Sequence, residues 1–112
     1  MTATSDDFHC AEVLSGHTPI VRIRETDDVL AYRHTRPFFE THFVVVPKRH
    51  IASLLDPTFS DGELLSLLHV VRDVAAELLA ERGACRVITN LGGYQDSKHL
   101  HWHVVAGEER KE

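Results

Sequence analysis

Cysteine is nearly absent from this chain: Cys10 and Cys85 are the two in 112 residues. So few, and so far apart, they read as free thiols in a reducing compartment rather than as a disulfide framework. Long apolar runs are missing too. The stretch HFVVVP at residues 42–47 falls far short of the roughly 20 residues that a membrane-crossing helix needs. Nor is there an excess of positive charge. Twelve Lys and Arg stand against 17 Asp and Glu, a formal net charge of −5, which argues against a surface that tracks nucleic-acid phosphates. The opening MTATSDDFHC lacks the basic start and apolar core of a secretory leader, so a cytoplasmic protein is expected. No repeat, low-complexity tract or linker-like break divides the sequence. Its length suits one domain with a modest core, residues 1–112, with 1–5 and 108–112 as flexible ends.

Histidine is what the chain has in quantity, with nine copies. Around them the elements can be read from period and punctuation. DDFHCAEVLSG (6–16) reads as a short helix capped by Asp6 or Asp7 and closed by Gly16. IVRIR (20–24) alternates like a half-buried strand, ETDD makes a turn, and VLAYR (29–33) is a second strand. HTRPFFET is a loop around Pro37, and HFVVV (42–46) is a β-branched strand ended by Pro47. A long helix follows, with Ser60 and Glu63 as a capping box, Gly83 as its left-handed stop, and Leu64, Leu68, Val71, Ala75 and Leu78 as its apolar stripe. His69 lies off that stripe, away from any chemistry. CRVITN (85–90) and KHLHWHVVA (98–106) are strands joined by the glycine-containing loop LGGYQDS. The order predicts an α+β domain, a five-stranded mostly antiparallel sheet with one long helix and a short N-terminal one.

The segment HLHWHV then takes on meaning. Side chains alternate along a strand, so His99, His101 and His103 share one face, about 6.5–7 Å apart, while Leu100, Trp102 and Val104 meet the core on the other. Three imidazoles on one face are solvated, bound to metal, or hydrogen-bonded within a polar site. Metal is a fair reading, since histidines at i and i+2 can share a zinc ion, but no acidic or histidine cluster of clear ligand spacing adjoins the row. In the catalytic reading, one imidazole attacks an electrophile while its neighbours orient it and support the departing group. Phosphorus is a suitable centre, because the glycines of LGGYQDS let backbone amides approach phosphate oxygens.

From about Phe8 to Gly107 the chain resembles the histidine triad (HIT) superfamily, especially its nucleotide-binding Hint branch. The resemblance rests on DDVLAYRH, HFVVVPKRHI, the long helix, VITN and GYQDSKHLHWHVV. HLHWHVV matches the family's His-φ-His-φ-His-φ-φ signature, with φ apolar, at all seven positions, and PKRH upstream matches its P-K-x-H. This resemblance implies the HIT fold and a homodimer whose two sheets join. It implies a hydrolase or transferase acting at the α-phosphate of a small-molecule nucleotide, through a nucleotidyl-histidine intermediate. Nucleoside phosphoramidates are the favoured substrates. Alternatives are a dinucleoside polyphosphate hydrolase and a nucleotide-binding regulatory module of weak turnover. By the same resemblance His101 is the nucleophile, His103 hydrogen-bonds phosphate and supports the leaving group, and His99 and His42 orient the nucleophile. Asn90 and Gln95 match nucleotide-contacting positions, and Tyr32, with Phe8, matches the wall of the base pocket.

Three positions depart from the family pattern. His34 stands where the family often has an acidic residue holding both ribose hydroxyls, so a ribonucleoside preference does not carry over. Asp96 stands where Ser or Thr touches phosphate; either Asp96 turns away, the adjacent Ser97 substitutes, or the leaving group is cationic. Some bacterial members hold a structural zinc at positions that correspond here to Asp7, Cys10, His50 and His99. Asp7 replaces a cysteine, although a carboxylate oxygen can still ligate zinc; a structural zinc is therefore possible by the resemblance but not the favoured reading, and no cofactor is required.

Overall fold

The computed structural model describes residues 19–109; the expected N-terminal helix over 6–16 lies outside them. Among these residues are five strands, one α-helix and a short 3-10 helix (Gly92–Tyr94): β1 (Arg22–Glu25), β2 (Val29–Arg33), β3 (Phe39–Pro47), α1 (Asp61–Arg82), β4 (Arg86–Thr89) and β5 (Trp102–Glu109). The strands form one sheet in the order β1-β2-β3-β5-β4 with every neighbouring pair antiparallel. The crossover from β3 to β4 is α1, and it lets β5 slot between them.

α1 begins and ends as its sequence dictates. The Ser60 side chain accepts from the Glu63 amide while the Glu63 carboxylate accepts from the Ser60 amide, and Gly83 at φ +82° returns its N–H to the Leu79 carbonyl. The buried face differs from the expected one. Leu67, Val70, Val71, Val74 and Leu78 are buried, whereas Leu64, Leu68 and Ala75 are half-buried at its margin. His69 is exposed.

Strand alternation sorts the core into two layers. Val29, Ala31, Val45, Val104 and Ala106 pack with the α1 residues, and Trp102 joins them. Leu30, Tyr32, Val44 and Val46 form a second buried cluster on the opposite face of the sheet. Burying one such Val or Leu is worth about 1.5–3 kcal/mol, so the helix side holds most of the stability. The opposite face is available for polar side chains.

Strand limits moved from the expected ones where tertiary pairing decides them. β3 starts at Phe39, inside the stretch read as loop, because Phe39 and Thr41 pair with Glu109 and Ala106 across a register shift. β5 starts at Trp102 rather than residue 98, and runs to Glu109, into the stretch read as a flexible tail. The segment before it turns aside. Its Leu100 amide bonds the Ile51 carbonyl at 2.6 Å, joining it to the loop after β3 instead of to a strand.

Candidate active site

The central pair β3 and β5 carries the histidines. Across that pair Val44 opposes His103 and His42 opposes Val105, which makes His42 and His103 diagonal neighbours on one face. Their rings meet, His42 Nε2 to His103 Nδ1 at 2.8 Å. His101 lies with its ring centroid 5.0 Å from that of His103, nearly perpendicular to it. A cavity of about 430 Å³ opens over these rings, lined by Tyr32, His34, Val44, Asp96, Ser97, His101 and His103 and walled by the 35–38 loop.

Backbone groups, whose donor and acceptor roles are fixed, determine the ring protons. His101 Nδ1 is 2.8 Å from the His99 carbonyl. A carbonyl only accepts, so Nδ1 carries the proton and Nε2 is the unprotonated nitrogen. The Phe38 amide donates to His42 Nδ1 at 3.0 Å, so His42 is protonated on Nε2. That proton is donated to His103 Nδ1, which leaves the His103 proton on Nε2. His99 Nε2 donates to the Pro47 carbonyl at 2.8 Å. The Arg36 amide donates to His34 Nδ1 at 2.9 Å, placing the His34 proton on Nε2. The result sets the unprotonated Nε2 of His101 next to His103, whose proton is on Nε2.

Burial favours the neutral form of His34, His42, His101 and His103. Desolvation leads the causes for each: it lowers His101 and His34 below the ordinary 6.5, holds His42 at about 3 and His103 at about 4. Asp96 acts the other way on His101 and His103, its carboxylate favouring the charged imidazolium. The Tyr32 phenol is pushed above its usual range by burial. A neutral imidazole held in one tautomer is a competent nucleophile at pH 7.

Of the residues singled out from sequence, His101, His103, His34, Tyr32 and Ser97 line the cavity together. His42 stands behind His103 as its hydrogen-bond partner. His99 does not line the cavity: its ring is fully buried against the Pro47 carbonyl, and its backbone carbonyl accepts from His101 Nδ1. Gln95 is buried with its amide donating to the Ala52 carbonyl at 2.7 Å, tying the glycine-containing loop to the loop after β3. Neither Gln95 nor Asn90 lines the cavity. Asp96 and Ser97 both line it, so Asp96 does not turn away from the site. Val44 and the loop residues Thr35, Arg36 and Phe38 were not among the expected site residues. For Val44 the signal was available: it lies two residues from His42 and so shares its face.

For the metal reading, the structure brings together the His50 and His99 rings, 5.2 Å between centroids. Asp7 and Cys10 lie outside the described residues. Two imidazoles are short of the four ligands a structural zinc takes, and among the described residues no third candidate ligand joins them.

The HIT domain family matches residues 15–110. An uncharacterized HIT-like protein of Synechococcus elongatus is 34% identical over 105 residues, covering 92% of each chain. A crystal structure of a histidine triad protein from Clostridium difficile superposes with a TM-score of 0.71 at 33% identity, covering 96% of this chain and 95% of that one. A HIT family hydrolase from Legionella pneumophila gives 0.76 at 28% identity, over 92% and 94% of the two chains. This chain belongs to the histidine triad superfamily.

Proposed function

We propose that this protein is a nucleotide hydrolase that attacks the α-phosphorus with His101, acting best on nucleoside phosphoramidates. The observation that carries the reading is the 2.8 Å bond between His101 Nδ1 and the His99 carbonyl, which leaves an unprotonated Nε2 in a ring that lines the cavity. In the first step the Nε2 lone pair forms an N–P bond as the P–N bond to the leaving amine breaks, the amine taking a proton from solvent as it departs, giving a nucleotidyl-histidine. Water then attacks phosphorus and frees His101. Overall, one water supplies a hydroxyl to phosphorus and a proton to the amine. His103 Nε2–H, fixed by His42, holds a phosphoryl oxygen where negative charge accumulates. Ser97 adds a hydroxyl beside it, and Tyr32, Val44 and Phe38 wall the end that takes the base. The Legionella relative, described as a hydrolase, supports the same class.

His101→Ala is expected to lower hydrolysis of adenosine 5′-phosphoramidate by about a thousandfold or more with the fold intact; a rate near wild type removes His101 from the role. Asp96 favours a second reading, a nucleotide-binding module of weak turnover, because its carboxylate repels a phosphate placed against His101. Mass spectrometry after rapid quenching separates the two: a nucleotidyl adduct on His101 supports the hydrolase, and binding with neither adduct nor product supports the module. The hydrolase is read further as a cytoplasmic homodimer. Edge strand β4, with Val87 43% exposed, offers an unpaired main chain to a second copy, and its self-association is measured by sedimentation.

A further inference from the structure

We infer that Asp96 selects substrates by the charge of their leaving group, favouring amines that carry a second ammonium and turning away anionic groups. This rests on the reading above, in which His101 attacks an α-phosphorus, and concerns what departs from that phosphorus. Asp96 lines the cavity with His101 and His103, so a group expelled from phosphorus meets its carboxylate.

Asp96 stands at the rim. It is exposed, whereas Ser97 beside it is buried. Its segment is tied on both sides. The Gln95 side-chain amide donates to the Ala52 carbonyl at 2.7 Å, and the Lys98 ammonium donates to the Gly92 and Gln95 carbonyls at 3.2 and 3.0 Å. Lys98, the nearest cation in the sequence, is thereby directed at the loop's own main chain. Among the described residues no Lys, Arg or His nitrogen comes within ion-pair distance of the Asp96 carboxylate. Arg36, the other lining residue of fixed charge, enters from the 34–38 loop, where its amide holds His34. The negative charge at the rim is left without a paired cation, and it is felt at both His101 and His103, whose charged forms it favours.

The charges that develop in the first step suit that carboxylate. Attack through Nε2, with the proton kept on Nδ1 by the His99 carbonyl, gives the His101 ring the charge of an imidazolium as the N–P bond forms. The nitrogen of the P–N bond gathers positive charge as it takes a proton from solvent, and the electron pair of the broken bond leaves with the amine. Both charges are opposite in sign to Asp96, which stabilises them where they appear. A second ammonium on the amine, emerging through the exposed rim, adds a further attraction. A P–O bond to a phosphate behaves in reverse: its electron pair leaves on an oxygen of an anion, which Asp96 repels. Because the carboxylate faces solvent, each such charge is worth what an exposed ion pair is worth, about three- to fivefold in rate.

The test compares kcat/KM of the full chain for three adenosine 5′-phosphoramidates of matched length, whose leaving amines are diaminopropane, butylamine and β-alanine, at low and high salt. Wild type is expected to favour the cationic amine over the neutral one, and the neutral over the anionic, by about three- to fivefold at each step. Both ratios should shrink as salt screens the rim. Asp96→Asn is expected to reduce each ratio by about threefold, and Asp96→Glu to retain the order. Ratios that are flat in wild type, or that are the same in wild type and a folded Asp96→Asn, overturn the inference. If Asp96→Asn fails to fold, the wild-type order and its loss with salt decide alone. Titration calorimetry with the same three compounds separates this role from the hydrolase reading beneath it. Turnover without the charge order refutes the role of Asp96 and leaves the hydrolase standing. Binding in the charge order with neither turnover nor adduct refutes the hydrolase and leaves Asp96 as the selector of ligand charge; no turnover and no charge order in binding refutes both.

Discussion

Mild acid should unfold this protein through its histidines, before any carboxylate is involved. In the folded state His42 titrates at about 3 and His103 at about 4, chiefly because burial disfavours the charged rings. In the unfolded chain both return to about 6.5. Folded values below unfolded ones mean that the full contribution is present above pH 6.5 and is lost as pH falls toward 4 and then 3. Within that window each ring costs the folded state about 1.4 kcal/mol per pH unit. By pH 5 this is about 2 kcal/mol for each ring and about 4 kcal/mol for the pair, a large share of the 5–15 kcal/mol typical of a domain. Asp56 and Glu63, both held at about 2 by hydrogen bonds from the Ala52 and Thr58 amides and from Arg49 respectively, begin to lose their contribution only near the unfolded carboxylate values of about 4, so the loss from about pH 6.5 to about pH 5 belongs to histidine. Urea unfolding at pH 7.5 and 5.0, at fixed ionic strength and protein concentration, measures the loss. Trp102, the single tryptophan, reports it from its place against the core. The control is His42→Gln with His103→Gln, which should lose about 4 kcal/mol less than wild type over the same interval. If wild type and double variant lose the same amount within about 1 kcal/mol, then the rings are not held neutral by the fold and the pKa reasoning fails.

Other consequences are separately measurable. Asp96 raises His101 and His103 against the effect of burial; Asp96→Asn should therefore lower both and move the acid limb of the kcat/KM profile to lower pH, and a limb that stays or moves up contradicts this. Gly107 sits at φ +85°, and an added Cβ would fall on the Glu40 carboxylate and near the Arg82 guanidinium, which pair at 2.7 Å. Gly107→Ala is expected to cost about 1–3 kcal/mol in urea unfolding; a neutral result would mean that the ion pair yields freely. Ser60→Ala removes the cap of α1 and should cost about 1 kcal/mol with turnover unchanged, since the helix packs on the face opposite the cavity.

Local signals determined what was legible in the sequence. The helix ends were readable because Ser60, Glu63 and Gly83 act on their own backbone neighbourhood. Its buried face was harder to place, because leucines at 64, 65, 67 and 68 satisfy a helical period in more than one registration. The sheet chooses Leu67, Val70 and Val74. Alternation correctly assigned Leu100, Trp102 and Val104 to the core and His101 and His103 to the other face. It was silent on His99, which precedes β5: its ring bonds the Pro47 carbonyl and the neighbouring Leu100 amide bonds the Ile51 carbonyl, about 50 residues away in the chain.

The chemistry of the site depends on the part that was least legible. Composition and spacing identify imidazoles but are silent on which nitrogen of each carries the proton, and that choice separates a nucleophile from a donor. Here it is made by main-chain atoms: the His99 carbonyl for His101, the Phe38 amide for His42 and, through it, His103, and the Arg36 amide for His34. Two of those amides belong to the 34–38 stretch, which reads as a plain turn around Pro37. The same row of histidines on a sheet whose 34–38 loop ran differently could reverse donor and acceptor at His103 and His34 without any change in the triad signature. The roles of the rings are therefore a property of the loop as much as of the strand, and substitutions that redirect the Arg36 or Phe38 amide should alter the chemistry while leaving every histidine in place.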